Sequence, residues 1–127
     1  MITYNPPAVP TPKGSYVHAM ELPPAARVLL VSGQTPALTD GSVPESTEEQ
    51  FHVVWKRIGA ILTAAGMGYQ DIVKVQTFIT EADYVGKSSE IRRQFLGDHK
   101  PTATLLCVNG LADKRYKVEI EVMAARV

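Results

Sequence analysis

The chain has 127 residues, enough for one domain that buries roughly two-thirds of the surface its unfolded form exposes. Hydrophobic residues make up 45% and charged residues 20%, with 13 basic and 13 acidic side chains cancelling. Disorder and fibrous repeats are therefore excluded, and so is the strong field of a non-specific binder of nucleic acid or membrane surfaces.

The first 14 residues are rich in proline, with Pro6, Pro7, Pro10 and Pro12, and read as an extended arm outside the core, residues 1–14, before a domain over 15–127. Tyr16 to Glu21 and Arg27 to Ser32 read as two short strands joined through Pro23 and Pro24. The second is apolar on both faces at Val28, Leu29, Leu30 and Val31, which predicts a central strand. Gly33 follows it, and Asp40-Gly41 marks a turn. Ser46 and Glu49 match a capping box. Beyond them Phe51, Val54, Trp55, Ile58, Ile61, Leu62 and Ala65 recur at helical spacing until Gly66 and Gly68. Asp71 to Thr80 alternates with β-branched residues, Asp83 to Leu96 is a weaker helix stopped by Gly97, and Pro101–Asn109 and Tyr116–Ala125 are two further strands.

This order, ββαβαββ, predicts an α+β domain with a mixed sheet and both helices on one face. The strand from Pro101 is apolar on both sides, with Thr104, Leu106 and Val108 alternating with Ala103, Leu105 and Cys107. Two helices cannot cover both faces of the sheet, so self-association through the second face is expected.

Neither GxGxxG nor GxxxxGK[ST] occurs, so no nucleotide cofactor is expected. His18, His52 and His99 have no metal-ligand spacing, and no metal is expected. Arg92-Arg93 and Lys114-Arg115 are too short to bind a polyanion. No apolar run is long enough to span a bilayer, and the amino terminus has no basic and apolar leader regions, so a cytoplasmic location without membrane attachment is expected. The one cysteine, Cys107, cannot form an internal disulfide, and within an apolar strand it reads as a buried, inert thiol. Glu119 and Glu121 lie two apart on a strand and share a face with Lys117. That pattern reads first as a solvated or salt-bridged strand face, and it also fits a carboxylate on a cleft wall that activates a water.

The blocks Leu30-Val31-Ser32-Gly33-Gln34-Thr35-Pro36, Ala64-Ala65-Gly66, Asp71-Ile72-Val73-Lys74-Val75, Pro101-Thr102-Ala103-Thr104 and Val118-Glu119-Ile120-Glu121 stand in one chain from Ser15 to Val127. In order and spacing they resemble the reactive intermediate deaminase family (Rid, also called YjgF or L-PSP). The resemblance implies a chorismate-mutase-like fold and a homotrimer whose sheets form a barrel. It also implies small-molecule ligands in three inter-subunit clefts and cofactor-free deamination of imines or enamines. It assigns Glu119 the orienting of water and places Tyr16, after Gly14-Ser15, on the cleft wall, where His18 shares its face. Gly33 offers a backbone N–H to the ligand, although a tight turn explains the glycine equally well. Thr104 and Cys107 follow as further substrate-side residues.

One position departs from the pattern. Family members that act on 2-iminoacids clamp the substrate carboxylate with an arginine two residues after the proline, where this chain has Ala103. Alanine gives no bidentate grip, so a changed substrate class is implied, or another cation such as Arg57 or Arg115 takes over. Arg57 otherwise reads as a solvent-facing helix residue and Arg115 as part of a turn. Ser89 is a second departure, standing where the family's second helix tends to carry asparagine. The expected function is a deaminase-like hydrolase acting on C=N bonds. The alternatives are a non-catalytic trimer that binds a small molecule or partner, and, more remotely, an endoribonuclease or translation inhibitor, although nucleic-acid binding is not expected from the charge.

Overall fold

Alternate residues along each long strand go to opposite environments, and this parity sets the architecture. A computed structural model describes residues 1–127. The elements are β1 (Ile2–Tyr4), β2 (Ala19–Glu21), β3 (Arg27–Gln34), α1 (Thr47–Ala64), β4 (Ile72–Ile79), α2 (Val85–Leu96), β5 (Thr102–Cys107) and β6 (Val118–Arg126). Short 3-10 turns precede β4 and α2.

The helical spacing read from Phe51 onward becomes one stripe of α1. Phe51, Val54, Trp55, Ile58 and Leu62 are all essentially inaccessible. They meet the inward set of the strands, including Val31, Val75, Ile79, Val118, Ile120 and Val122, while α2 adds Ile91 and Leu96 to the same cluster. Both helices therefore cover one face. Ser46 caps α1 by accepting from the Glu49 backbone N–H at 3.3 Å. Gly66, at φ +71°, lets the chain turn just past the last helical turn, where a β-carbon would be strained.

The main sheet has the order β3-β6-β4-β5, with β4 and β5 parallel and β6 antiparallel to both its neighbours. The expectation of a central strand at Arg27–Ser32 is corrected: β3 is an edge. Its two apolar sets serve different ends, since Leu29 and Val31 face the core while Val28 and Leu30 are 50% and 71% exposed on the uncovered face. The run Tyr16–Glu21 is likewise shorter than expected. Only Ala19–Glu21 pairs as a strand, and its partner is β1, inside the arm read as extended and outside the core. Tyr4 reinforces that hairpin by donating to Glu21 Oε2 at 2.5 Å.

Side chains on the uncovered face fall into cross-strand rows. Leu30, Met123, Lys74 and Thr102 form one, and Glu119 is opposite Phe78, which is opposite Leu106, in another. Glu121, Gln76 and Thr104 lie between them. Helices cover the other side only, so apolar Val28, Leu30 and Leu106 remain open.

Candidate functional site

The expected site residues separate into two groups at opposite edges of the sheet. At the β3 side, pairing with β6 slips between Val31 and Gln34, and the irregularity carries Gly33 under the side chain of Glu119. A β-carbon on Gly33 would collide with Glu119 Oε2 and lie 3.0 Å from the carboxyl carbon. Only glycine leaves room for the carboxylate there. Glu119 is half-buried and takes part in neither of the chain's side-chain ion pairs. It therefore keeps its acceptor oxygens for water or ligand. Lys117, expected on the same face, turns to Glu45 O at 3.2 Å and Glu81 at 3.8 Å.

The second group lines a cleft of ≈ 300 Å³ at the β5 edge, formed by Tyr16, Val17, His18, Lys74, Thr102, Ala103 and Thr104. The extended segment before β2 is tied to β5 where Val17 N–H donates to Pro101 O at 3.0 Å. Tyr16 and His18 meet edge-to-face with ring centroids 5.7 Å apart. His18 Nε2 lies 2.6 Å from Pro10 O, so Nε2 must carry the proton, because a carbonyl only accepts. Its backbone N–H donates to Asn5 Oδ1 at 2.8 Å, which pins the proline-rich arm against this wall. Behind the wall, Arg92 donates to Ser15 O at 2.9 Å. Burial, with Arg93 adding repulsion, pulls the Arg92 guanidinium below its ordinary pKa.

Ala103 is half-buried and packs with the core, in register with Val75, whereas Lys74 and Thr104 are exposed on the uncovered side. Thr104 thus lines one cleft with Tyr16 and His18, and Gly33 lies against Glu119. Glu119 and the Tyr16–Ala103 cleft do not meet within one chain: Glu119 lies four residues along β6 from Met123, the partner of Lys74.

Two expectations are corrected. Cys107 is exposed at the end of β5, not buried, and is not among the cleft residues, because its neighbour Ile79 marks the last paired position of the sheet. Arg57 is not solvent-facing. Half-buried, it donates to Thr35 O at 2.8 Å and to Ala37 O, bracing the loop after β3. Arg115 is engaged by Asp113 at 2.9 Å and by Gly41 O at 3.3 Å. Ser89 approaches the same segment from α2, its Oγ 3.8 Å from where a Gly14 β-carbon would lie.

Two residues escaped the sequence reading. In the sequence Lys74 stands only as one letter of the Asp71–Val75 block, interrupting a β-branched run, and Arg92 only as half of a basic pair. No three His, Cys, Asp or Glu side chains gather as metal ligands, and no helix is long and apolar enough to cross a membrane.

A family model described as Endoribonuclease L-PSP matches residues 7–126. TdcF of Escherichia coli, whose name places it with the reactive intermediate deaminases, is 32% identical over 116 residues, covering 89% of this chain and 88% of its own. A RutC family protein of Buchnera aphidicola is 34% identical over 119 residues, 91% and 90% of the two chains. Among solved structures, E. coli TdcF with bound serine superposes with a TM-score of 0.73 at 29% identity over 100% of both chains. YyfB of Yersinia pestis, from the conserved Rid family, reaches 0.86 at 21% identity over 98% of each and supports the fold alone. With the fold and nearly the whole length matched, this chain belongs to the Rid/YjgF/L-PSP family.

Proposed function

We propose that the protein is a cofactor-free hydrolase of small imines or enamines, cytoplasmic and homotrimeric, with a substrate class changed by Ala103. The observation that carries this reading is the Glu119 carboxylate seated over Gly33, half-buried and without an ionic partner. In this scheme the β3–β6 edge of one copy, with Glu119 and Gly33, faces the β5 edge of a neighbour, with Tyr16, His18 and Thr104. The exposed apolar set Val28, Leu30 and Leu106 on the uncovered face supports such an assembly, because association removes it from water.

The chemistry needs few groups. Glu119 accepts a proton from water as its oxygen attacks the C=N carbon, and the substrate nitrogen gains a proton. The tetrahedral adduct then releases ammonia and leaves a carbonyl, so that imine plus water gives carbonyl compound plus ammonia. Tyr16 donates a hydrogen bond to the polar end of the substrate, and the Gly33 amide holds it on the other side. Ala103 contributes no charge, which supports a ligand other than a 2-iminoacid clamped by arginine.

That same position favours a second reading, a trimer that binds a small molecule without turnover. Generating 2-iminoacids with an amino-acid oxidase and following 2-ketoacid release for wild type, Ala103→Arg and Glu119→Gln separates the two. Activity in the wild type or in Ala103→Arg that Glu119→Gln abolishes supports the hydrolase. No turnover in any of the three, with ligand still bound, supports the binder. An RNA-cleaving role has the family description and the endoribonuclease names of solved relatives such as one of Thermotoga maritima behind it, and the balanced charge speaks against it.

A further inference from the structure

We propose that His18 is the acid that hands a proton to the substrate nitrogen through Nδ1, and that the proline-rich arm fixes its ring for this task. The role rests on the hydrolase reading, in which Glu119 begins by taking a proton from water while the substrate nitrogen has to gain one.

The arm decides which ring nitrogen is free. Nε2 lies 2.6 Å from Pro10 O. A carbonyl only accepts, so Nε2 keeps its hydrogen whether the ring is neutral or charged, and a proton that His18 gains or gives up is held on Nδ1. Nδ1 makes no hydrogen bond within the chain, and His18 is one of the residues that line the cleft. A backbone carbonyl thus orients the imidazole and leaves its other nitrogen for chemistry.

The anchor is itself stiff. Pro6, Pro7, Pro10 and Pro12 each fix a backbone torsion, and Val9 N–H donates to Pro6 O at 3.1 Å, closing a turn just before Pro10. The backbone N–H of His18 donates to Asn5 Oδ1 at 2.8 Å, so the arm grips the residue by main chain and ring together. Tyr16 meets the ring edge-to-face at 5.7 Å. The titratable groups that share the cleft with His18 are Tyr16 and, from β4, Lys74, whereas β5 lines it with uncharged residues and the arm touches His18 through Asn5 and Pro10. No carboxylate of the same chain lines the cleft to take the Nδ1 proton first.

Two such groups are enough to balance the reaction. Water attacks the C=N carbon, Glu119 takes one of its protons, and the imidazolium gives its Nδ1 proton to the nitrogen as the π bond opens. The adduct then carries a hydroxyl and an amino group. When the C–N bond breaks, the nitrogen takes the proton held by Glu119, and the hydroxyl passes its own to Nδ1. Ammonia and the carbonyl compound leave with both side chains as they began, and neither an oxidant nor a reductant is needed. Because Glu119 comes from the neighbour's β3–β6 edge in the proposed assembly, base and acid approach the substrate from opposite walls.

The test reads tautomer and rate on the full chain. Nitrogen NMR of the histidine rings is expected to show neutral His18 with its hydrogen on Nε2, and a hydrogen on Nδ1 overturns the proposal. Turnover of the imine made from alanine by an amino-acid oxidase is followed from about pH 5 to 8, where an imidazole changes charge, in wild type and in Ala103→Arg. The acid must be protonated, so kcat is expected to fall as pH rises. His18→Gln keeps an N–H for Pro10 O. It should lose that limb together with roughly a hundred- to ten-thousandfold of kcat, with KM and thermal midpoint little changed. The limb should survive in Tyr16→Phe and Lys74→Met, whatever their rates. Its survival in His18→Gln, or its disappearance in Tyr16→Phe or Lys74→Met instead, overturns the proposal and leaves the hydrolase standing. No turnover in either background at any pH refutes the hydrolase, and the proton donor with it.

Discussion

Glu119 lies directly over Gly33, so that the first atoms a β-carbon at position 33 would meet are the carboxylate Oε2 and, at 3.0 Å, the carboxyl carbon. These atoms are the mobile end of a side chain, so Gly33→Ala should relax by rotating Glu119 away. Its stability should change by no more than about 1 kcal/mol. Imine hydrolysis should nevertheless fall toward the level of Glu119→Gln, because the displaced carboxylate no longer holds the water. Thermal melts alongside turnover check this. A variant of normal stability and full activity would show that the contact with Gly33 does not position the carboxylate.

Leu30 is 71% exposed on the uncovered face and stands in one row with Met123, Lys74 and Thr102. If that face is the assembly interface, Leu30→Glu places a carboxylate in a surface that association would desolvate. Light scattering should then report a trimer for wild type and smaller species for the variant, with the far-ultraviolet circular dichroism unchanged. An unaltered mass in Leu30→Glu would remove the uncovered face from the interface.

The helices and the order of strands are legible in the sequence because burial imposes a period. Phe51 to Leu62 can bury one stripe only as a helix, and Val75 to Ile79 can reach the core only as a strand. The place of a strand in the sheet is harder to read. β3 looks central because Val28 and Leu30 are apolar, but apolar residues on an edge facing solvent carry the same letters as residues buried in a core. Site residues show the same division. Gly33 and Glu119 are recognisable from their sequence blocks, whereas their contact depends on a slip in the β3–β6 register that no local pattern encodes. Arg92 lacks a motif altogether, and Lys74 is only one letter of the Asp71–Val75 block, since what distinguishes both is a missing counter-charge. The exposure of Cys107 escapes for a related reason: a strand's last residues can extend past the helices that cover the rest.

Gly59, inside α1, offers a test of packing against intrinsic propensity. Replacing a helical glycine by alanine ordinarily gains up to about 1 kcal/mol. Here a β-carbon would overlap the Tyr69 hydroxyl and come 2.8 Å from Cζ of the ring. Tyr69 cannot move aside freely, because its hydroxyl donates to Trp55 O at 2.8 Å and its ring packs against Trp55 and Phe95. Gly59→Ala should therefore destabilise by about 1–3 kcal/mol, the usual range for overpacking. Gly59→Ala made together with Tyr69→Leu should recover part of that loss. Urea unfolding of the single and double variants gives the comparison, and a stabilised Gly59→Ala would show that Tyr69 yields at little cost.

Asp113 gives the acid limb of the stability profile a specific source. Hydrogen bonds from the Arg115 side chain and backbone hold its carboxyl down from the usual 3.8 to about 2. Arg115 in turn reaches Gly41 O at 3.3 Å, so the pair links the loop before β6 to the Asp40-Gly41 turn. A carboxylate whose pKa is lower folded than unfolded contributes stability that is fully present above its unfolded value and is lost as pH falls through the folded one. The contribution should therefore fade between about pH 4 and pH 2 and be absent below. Both groups are solvent-exposed, so added salt should shrink it. Thermal midpoints of wild type and Asp113→Asn measured across that window should converge as the pH drops, with wild type the higher at pH 5. A constant gap down to pH 2 would show that Asp113 acts through its shape and hydrogen bonds, and not through its charge.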